Sequence, residues 1–236
     1  MHHGFMNKLV EQASNRFSLQ SKLAHAEIKS VWSPDITISR DPGSGGKVIA
    51  QKIAKKLGWK LLDKEIMVKL SEELGIPEES FAKIDENTRN WFADSFNALF
   101  NPSYVSDIRY LNYLKKLLIH SAKDGNVVIV GRGANHIIPP EKSLRVRVTA
   151  SYKTRVNNTI KHEKRTRANA ESWVTHVENR RNNFIKQYFG QNAYDPSNFD
   201  LIVNTDHLDL NQARNLIVSA YFAKFPAEHK RLKSKI

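Results

Sequence analysis

Apolar and polar positions alternate in blocks along this chain, and the blocks change period. Residues 35–39 are a short β-branched run that predicts a buried strand. Val48, Ile49, Ile53, Ala54 and Leu57 then recur near helical spacing, and Gly58 supplies a stop. Trp59 to Leu62 predict a second short strand that closes on Asp63. A helix over about 64–74 follows, broken by Gly75, Ile76 and Pro77. Val127 to Val130 are continuously apolar, the pattern of a parallel strand covered on both faces. Residues 144–149 alternate Leu, Arg, Val, Arg, Val, Thr, so one face of that strand is basic and partly open. A long polar, basic helical region covers about 153–189, and Leu201 to Asn204 form a last short strand. Residues 211–225 predict a closing helix with Ala213, Leu216, Ile217, Ala220 and Tyr221 facing inward.

Two stretches fit this alternation less well. Residues 1–30 read as helical with irregular apolar spacing, a segment that packs on the core or on a partner, in cis or in trans. Residues 78–105 carry Phe81, Trp91, Phe92, Phe96, Leu99, Phe100 and Tyr104, too many aromatics for a disordered segment. They predict a small helical insertion, with a helix over about 106–122 after it. The whole succession of strands and helices predicts an α/β domain whose parallel sheet is covered on both faces.

Composition narrows the classes. The 236 residues are 40% hydrophobic and 26% charged, the profile of an ordinary globular chain. No run of eighteen apolar residues predicts a membrane span, and the N-terminus lacks the apolar core of a signal peptide. Zero cysteines exclude disulfides and thiolate metal sites and fit a reducing compartment, so the expected location is cytoplasmic. A net charge of +13 predicts attraction to polyanions without choosing among nucleotides, nucleic acid and anionic membrane.

The chemistry concentrates at the strand ends. Residues 36–54, ITISRDPGSGGKVIAQKIA, read as strand, glycine turn, lysine and helix. Such a turn points backbone N–H groups at an anion, the helix start adds its positive dipole end, and Lys47 adds a mobile charge. The full P-loop pattern would place Gly at 41 and Ser or Thr at 48, where this chain has Asp41 and Val48. Val48 brings no hydroxyl to Mg²⁺, which leaves phosphate oxygens, water and a carboxylate such as Asp63 or Asp41. In an open parallel sheet ligands sit beyond the carboxyl ends of the strands. There the successive strands deliver Arg40 with the glycine turn, Asp63, Arg132, and then Ser151, Lys153 and Arg155. Each has a plainer reading beside the functional one. Asp63 is also a good N-cap, Arg155 could be a solvated helix residue, and Arg180 could exchange roles with Arg181.

These blocks resemble a known family. SRDPGSGGKVIAQKIAKKLGWKLLDKEI, then NVVIVGRGANHII, then VENRRNNFIKQYFG are similar in content and order to the cytidylate kinase-like branch of the P-loop nucleoside monophosphate kinases. The resemblance runs from about 35 to 222. It implies a P-loop kinase-like three-layer sandwich with a five-stranded parallel sheet, a helical acceptor-binding insertion at about 78–110 and a lid at about 153–190. Residues 1–34 are then a helical extension, 35–225 the domain, and 226–236 a solvated basic tail. It implies transfer of the γ-phosphoryl of ATP to a small phosphorylated acceptor, with Mg²⁺. Carried over, Gly43, Ser44, Gly45, Gly46, Lys47 and Val48 line the donor phosphates. Arg132 grips the acceptor phosphate, Asp63 lies near the acceptor, and Glu178 stands where the family usually has Asp. Lys47, Arg155 and Arg181 close over the moving phosphoryl group. Phosphoryl transfer needs mainly positioning and positive charge, which suits those residue types.

Three readings follow from the sequence. The first is a nucleoside monophosphate kinase, with CMP one candidate acceptor. The second keeps the fold and loses turnover, a nucleotide-binding regulatory module motivated by Asp41, Val48 and Glu178. The third is a nucleic-acid-binding protein motivated by the net charge of +13 and the basic region from 142 to 186, and it ranks last. Assembly into a homo-oligomer is left open.

Overall fold

The computed structural model describes residues 33–63, 104–123 and 125–233. The helical segment over 1–30, the helix over 64–74 and most of the aromatic insertion lie outside them.

Five parallel strands form one sheet in the order β2-β3-β1-β4-β5. They are β1 (Asp35–Arg40), β2 (Lys60–Leu62), β3 (Val127–Val130), β4 (Ser143–Thr149) and β5 (Leu201–Asn204). The central strand, β1, pairs Ile38 with Val130 on one side and with Val146 on the other. The order reverses around β1, so the crevice for a ligand opens beyond the carboxyl ends of β1 and its neighbours.

The apolar run of β3 shows why that strand must be central to the fold. Val128 and Val130 face a core built with helix α1 (Gly46–Leu57) and helix α6 (Leu210–Lys224). Val127 and Ile129 face a second core with Leu114, Leu117 and Leu118 of helix α2 (Tyr104–Ala122). The period of two along a strand thus divides one apolar run between two buried faces. The short helix α3 (Ala134–Ile137) closes the second face, with Ala134 and Ile138 in that core.

Gly58 ends α1 in the left-handed region at φ 67°, and its N–H donates to the carbonyl of Ala54. At α6 the inward face differs from the expected one. Ala213, Ile217, Val218 and Tyr221 are buried, whereas Leu216 is 48% exposed. Leu216 adjoins Ile217, and one helical step of about 100° turns it from the sheet. Val48 likewise leaves the predicted apolar stripe of α1 and is 41% exposed.

The long basic region is two helices. Helix α4 (Tyr152–Glu163) ends at Lys164, which has φ 53°, and Thr166 caps helix α5 (Arg167–Phe189) by accepting from the Asn169 N–H. Val156, Ala170 and Val174 bind the pair together in a small core of their own. Where a solvated basic tail is expected, Pro226–Lys233 form a short helix, α7. There Arg231 Nη2 donates to Asn126 Oδ1 at 3.1 Å and pairs with Glu228 at 2.8 Å.

Candidate functional site

The glycine turn is built before any ligand arrives. Gly43 has φ 77°, and a side chain there would collide with the backbone carbonyl of Arg155. The turn and the first turn of α4 are therefore packed backbone to backbone. Asn158 Nδ2 donates to the Gly43 carbonyl at 2.9 Å, and Thr205 Oγ1 donates to the Ser44 carbonyl at 3.0 Å. The buried Ser44 hydroxyl donates inward, with Asp41 O and Val148 O as acceptors at 2.9 and 3.1 Å. Gly45 then caps α1 without any side chain bonding to the helix's first N–H groups. Those donors point where an anion would complete them. Lys47 extends from the same turn, with Nζ 3.7 Å from Asp63 Oδ2 at the end of β2.

Beside the turn lies a second cationic site, a cavity of about 250 Å³. Its walls include Arg40 at the end of β1, Arg132 after β3, and Arg180 and Arg181 on α5, with Phe184 and Phe199 adding apolar surface. Arg132 has φ 56°, an uncommon conformation for a residue with a Cβ and one that recurs at functional sites. Arg181 Nη1 donates to the carbonyl of Arg40 at 2.8 Å. Burial, followed by the charges of Arg181 and Arg132, pulls the Arg40 guanidinium down to about 9. Burial and then Arg180 pull Arg181 down to about 10. Asp63 acts in the opposite direction on Arg40, as Asp41 and Glu178 do on Arg181, but burial and like charge outweigh them.

The sequence-derived candidates fall into three places. Gly43 to Lys47 form the turn, and Lys47 reaches Asp63. Arg132, Glu178 and Arg181 reach the cavity wall. Arg155 does neither. It is buried under the turn, donating Nε to the Ala150 carbonyl at 3.2 Å and pairing through Nη1 with Glu178 Oε2 at 3.2 Å. Glu178 is held twice, because Tyr194 also donates its hydroxyl to Oε1 at 2.8 Å.

Asp41 is similarly committed. Its Oδ1 accepts from Arg147 Nη2 and its Oδ2 from Thr149 Oγ1, both at 2.6 Å. The basic open face expected of β4 is thus closed at Arg147, which also donates to the Ala193 carbonyl at 2.6 Å and lies over the Tyr194 ring. Asp41 is therefore a poor choice of metal ligand, and Val48 offers no oxygen. Asp63 lies 3.7 Å from Lys47, and no group of three His, Asp or Glu able to hold a metal occurs among the described residues. That donor set fits Mg²⁺ carried mainly by substrate phosphates with one carboxylate, which is how Mg²⁺ commonly binds. No described helix is long and apolar enough to cross a membrane.

Sequence reasoning gave Arg40 no role beyond its place at a strand end, and it missed Asn135, Arg147 and Tyr194. Position offered a hint for Arg40, the last residue of the central strand. Asn135 and Arg147 depend on contacts 46 to 106 residues apart, and Tyr194 lies in a loop that carries no motif.

A sheet ordered 2-3-1-4-5, with a glycine turn after its central strand and arginines at the neighbouring strand end, defines a P-loop kinase-like protein. The chain belongs to the cytidylate kinase-like family, whose model matches residues 35–207. It is similar to a cytidylate kinase from Pyrobaculum aerophilum, 26% identical over 179 residues that cover 75% of this chain and 87% of that one. A cytidylate kinase from Saccharolobus islandicus is 23% identical over 201 residues, 85% of this chain and 96% of the other. Among solved structures, an uncharacterized protein from Eubacterium ventriosum shares the fold with a TM-score of 0.58 at 18% identity. The match covers 79% of this chain and 97% of that one.

Proposed function

We propose that this protein is a nucleotide kinase that moves the γ-phosphoryl of ATP onto a nucleoside monophosphate, with CMP the first acceptor to test. The observation that carries the reading is adjacency. Arg40, Asp41 and Pro42 lead into the glycine turn and also wall the arginine cavity. A donor held at the turn and an acceptor held in the cavity would meet across those residues. Holding two reactants in register converts an encounter in solution into a step within one complex.

In this reading the N–H groups of residues 43–48 and the Lys47 ammonium hold the donor phosphates. Arg181, anchored on the Arg40 carbonyl, stands ready for the charge that spreads over the moving group. Arg132 grips the acceptor phosphate through its planar fork. Mg²⁺, when bound, would neutralise phosphate charge, with Asp63 as the carboxylate nearest Lys47. Arg155 would have to leave Glu178 to touch the γ-phosphoryl, so in the arrangement seen it braces the turn instead.

That brace favours a second reading, a nucleotide-binding module with little turnover. The nucleic-acid reading loses ground for a physical reason. Arg145, Arg147 and Arg155 are each paired with a carboxylate, at 2.9, 2.6 and 3.2 Å, so the basic strand and helix present less open charge than their sequence suggests.

The test is a panel of nucleoside monophosphates with Mg·ATP, read as nucleoside diphosphate formed. At least one acceptor should be phosphorylated, and Lys47→Ala should lower turnover by about 10²–10³-fold, the usual scale for losing one preorganised charge on the reacting group. Tight nucleotide binding by calorimetry without product would instead select the module.

A further inference from the structure

The cavity wall carries two carboxylates among its arginines, Asp41 and Glu178. A carboxylate in such company has a competing use, which is to pair with one of the guanidiniums. Glu178 is well placed for it. Glu178 lies three positions before Arg181 on α5, the spacing at which helix side chains meet. The two are already within electrostatic reach, since Glu178 offsets part of what burial and Arg180 do to the Arg181 guanidinium. A closed pair would spend inside the protein the charge that an anionic ligand needs. Yet no ion pair joins them among the described residues, and Arg181 donates to the carbonyl of Arg40 instead. Something holds Glu178 back.

Arg155 does half of this. Its Nη1 and Nη2 both fall on Oε2, at 3.2 and 3.3 Å. The other oxygen, Oε1, accepts from the Tyr194 hydroxyl at 2.8 Å. That hydroxyl also accepts from Asn182 Nδ2 at 2.6 Å, so its own proton is directed to Glu178. Burial raises the phenol above its ordinary 10.0; the Asn182 bond acts against this and Glu178 adds to it, so the hydroxyl stays a donor at neutral pH. The loop that presents Tyr194 is tied to itself. Tyr194 N donates to Asn192 Oδ1 at 3.0 Å, and Asn198 Nδ2 donates to the Asn192 carbonyl at 3.3 Å. The Tyr194 ring lies 4.6 Å from the Arg147 guanidinium, the group that engages Asp41. One side chain therefore touches the restraints on both wall carboxylates.

We propose that Tyr194 is a positioning residue: its hydroxyl pins Glu178 on the Arg155 side and so keeps Arg181 open to phosphate oxygens. Without the pin, the freed oxygen of Glu178 turns along α5 onto Arg181 and competes with the ligand from within. The proposal rests on the phosphotransferase reading for the role of Arg181 in turnover, but the pin itself is read in anion binding and stands or falls separately.

The experiment uses the full chain and isothermal calorimetry of inorganic phosphate in saturating ADP, which on the reading above occupies the glycine turn and leaves the phosphate to the arginines. Tyr194→Phe removes the hydroxyl and keeps the ring beside Arg147. It should weaken phosphate binding by about tenfold while the melting temperature barely moves, since Tyr194 is 43% exposed. In a Glu178→Gln background the same change should cost less than about twofold, because no carboxylate is left to turn on Arg181. In a working kinase Tyr194→Phe should lower kcat by about tenfold and leave both KM values within about threefold. Should the double variant fail to fold, a crystal structure of Tyr194→Phe decides, with Glu178 expected within ion-pair distance of Arg181. Unchanged phosphate binding in Tyr194→Phe, an equal loss in both backgrounds, or Glu178 still on Arg155 alone in that crystal overturns the pin even in a working kinase. No turnover with any nucleotide, alongside the expected phosphate series, overturns the kinase reading and keeps the pin. A parent that binds no phosphate under these conditions overturns both.

Discussion

Arg40 and Arg147 lie on adjacent strands, β1 and β4, whose register sets Ser39 opposite Arg147. Their surroundings are opposite. Arg147 meets Asp41, a backbone carbonyl and an aromatic ring, so its charge and donors are satisfied within the protein. Arg40 meets Arg181 and Arg132, with Asp63 only partly offsetting them. A buried charge with its partners in place is architecture, and one among its own kind is the candidate for meeting a ligand. The same division separates Arg155, paired to Glu178, from Arg132 and Arg181 at the cavity.

The strongest way to break this comparison is Arg132→Ala. If Arg132 serves a ligand, kcat/KM for the acceptor should fall by about 10²–10³-fold, the scale for losing one partner of a hydrogen-bonded charge pair, while the melting temperature holds or rises. A large loss of stability would place Arg132 among the architectural arginines. Arg147→Ala probes the opposite side. It leaves Asp41 buried with Thr149 alone and should cost about 3–5 kcal/mol of stability in chemical denaturation, the scale for removing one partner of a buried pair. An unchanged denaturation midpoint would remove the distinction.

Glu178→Gln sharpens the comparison at the brace. The amide can still accept from Tyr194, yet Arg155 loses its counter-charge, so about 1–3 kcal/mol should be lost. If Arg155 were then drawn to bound ATP, the variant would lose stability while gaining nucleotide affinity, and titrating ATP during thermal melts would reveal it.

The smallest effect concerns His136, which stacks on Phe189 at the cavity edge with ring centroids 4.9 Å apart. Burial, and then Arg145, hold its imidazolium below the ordinary 6.5. The unfolded chain therefore binds the extra proton first as pH falls below 6.5, and stability should drop there. His136→Phe should flatten that slope below pH 6.5 in thermal melts. An unaltered slope would assign the acid sensitivity elsewhere.

Much of the fold was legible because its signals are local. A β-branched run such as Val127–Val130 needs burial on both faces, and a glycine turn followed by a helix stripe announces its own geometry. The same locality made the turn and Lys47 readable as a candidate site. What was not legible depends on pairing across the sheet. Nothing in SRDPG says that Asp41 will spend both oxygens on β4, and nothing in LRVRVT says which arginine closes inward. Asn135 illustrates the limit most sharply. One residue of GRGANHII becomes interesting only when Ser39, 96 positions earlier, takes its oxygen and leaves its nitrogen unpaired. Leu216 shows the same limit in a helix, where composition marks an apolar residue but one step of rotation decides its face.

The interlock at Gly43 carries a consequence for how this sequence can vary. The atoms that exclude a side chain there belong to the Arg155 backbone, not to its guanidinium. No replacement at position 155 can make room, so tolerance at 43 cannot be rescued by a second substitution in α4. In a saturation screen position 43 should admit glycine alone whatever residue occupies 155, and the two sites should show no epistasis.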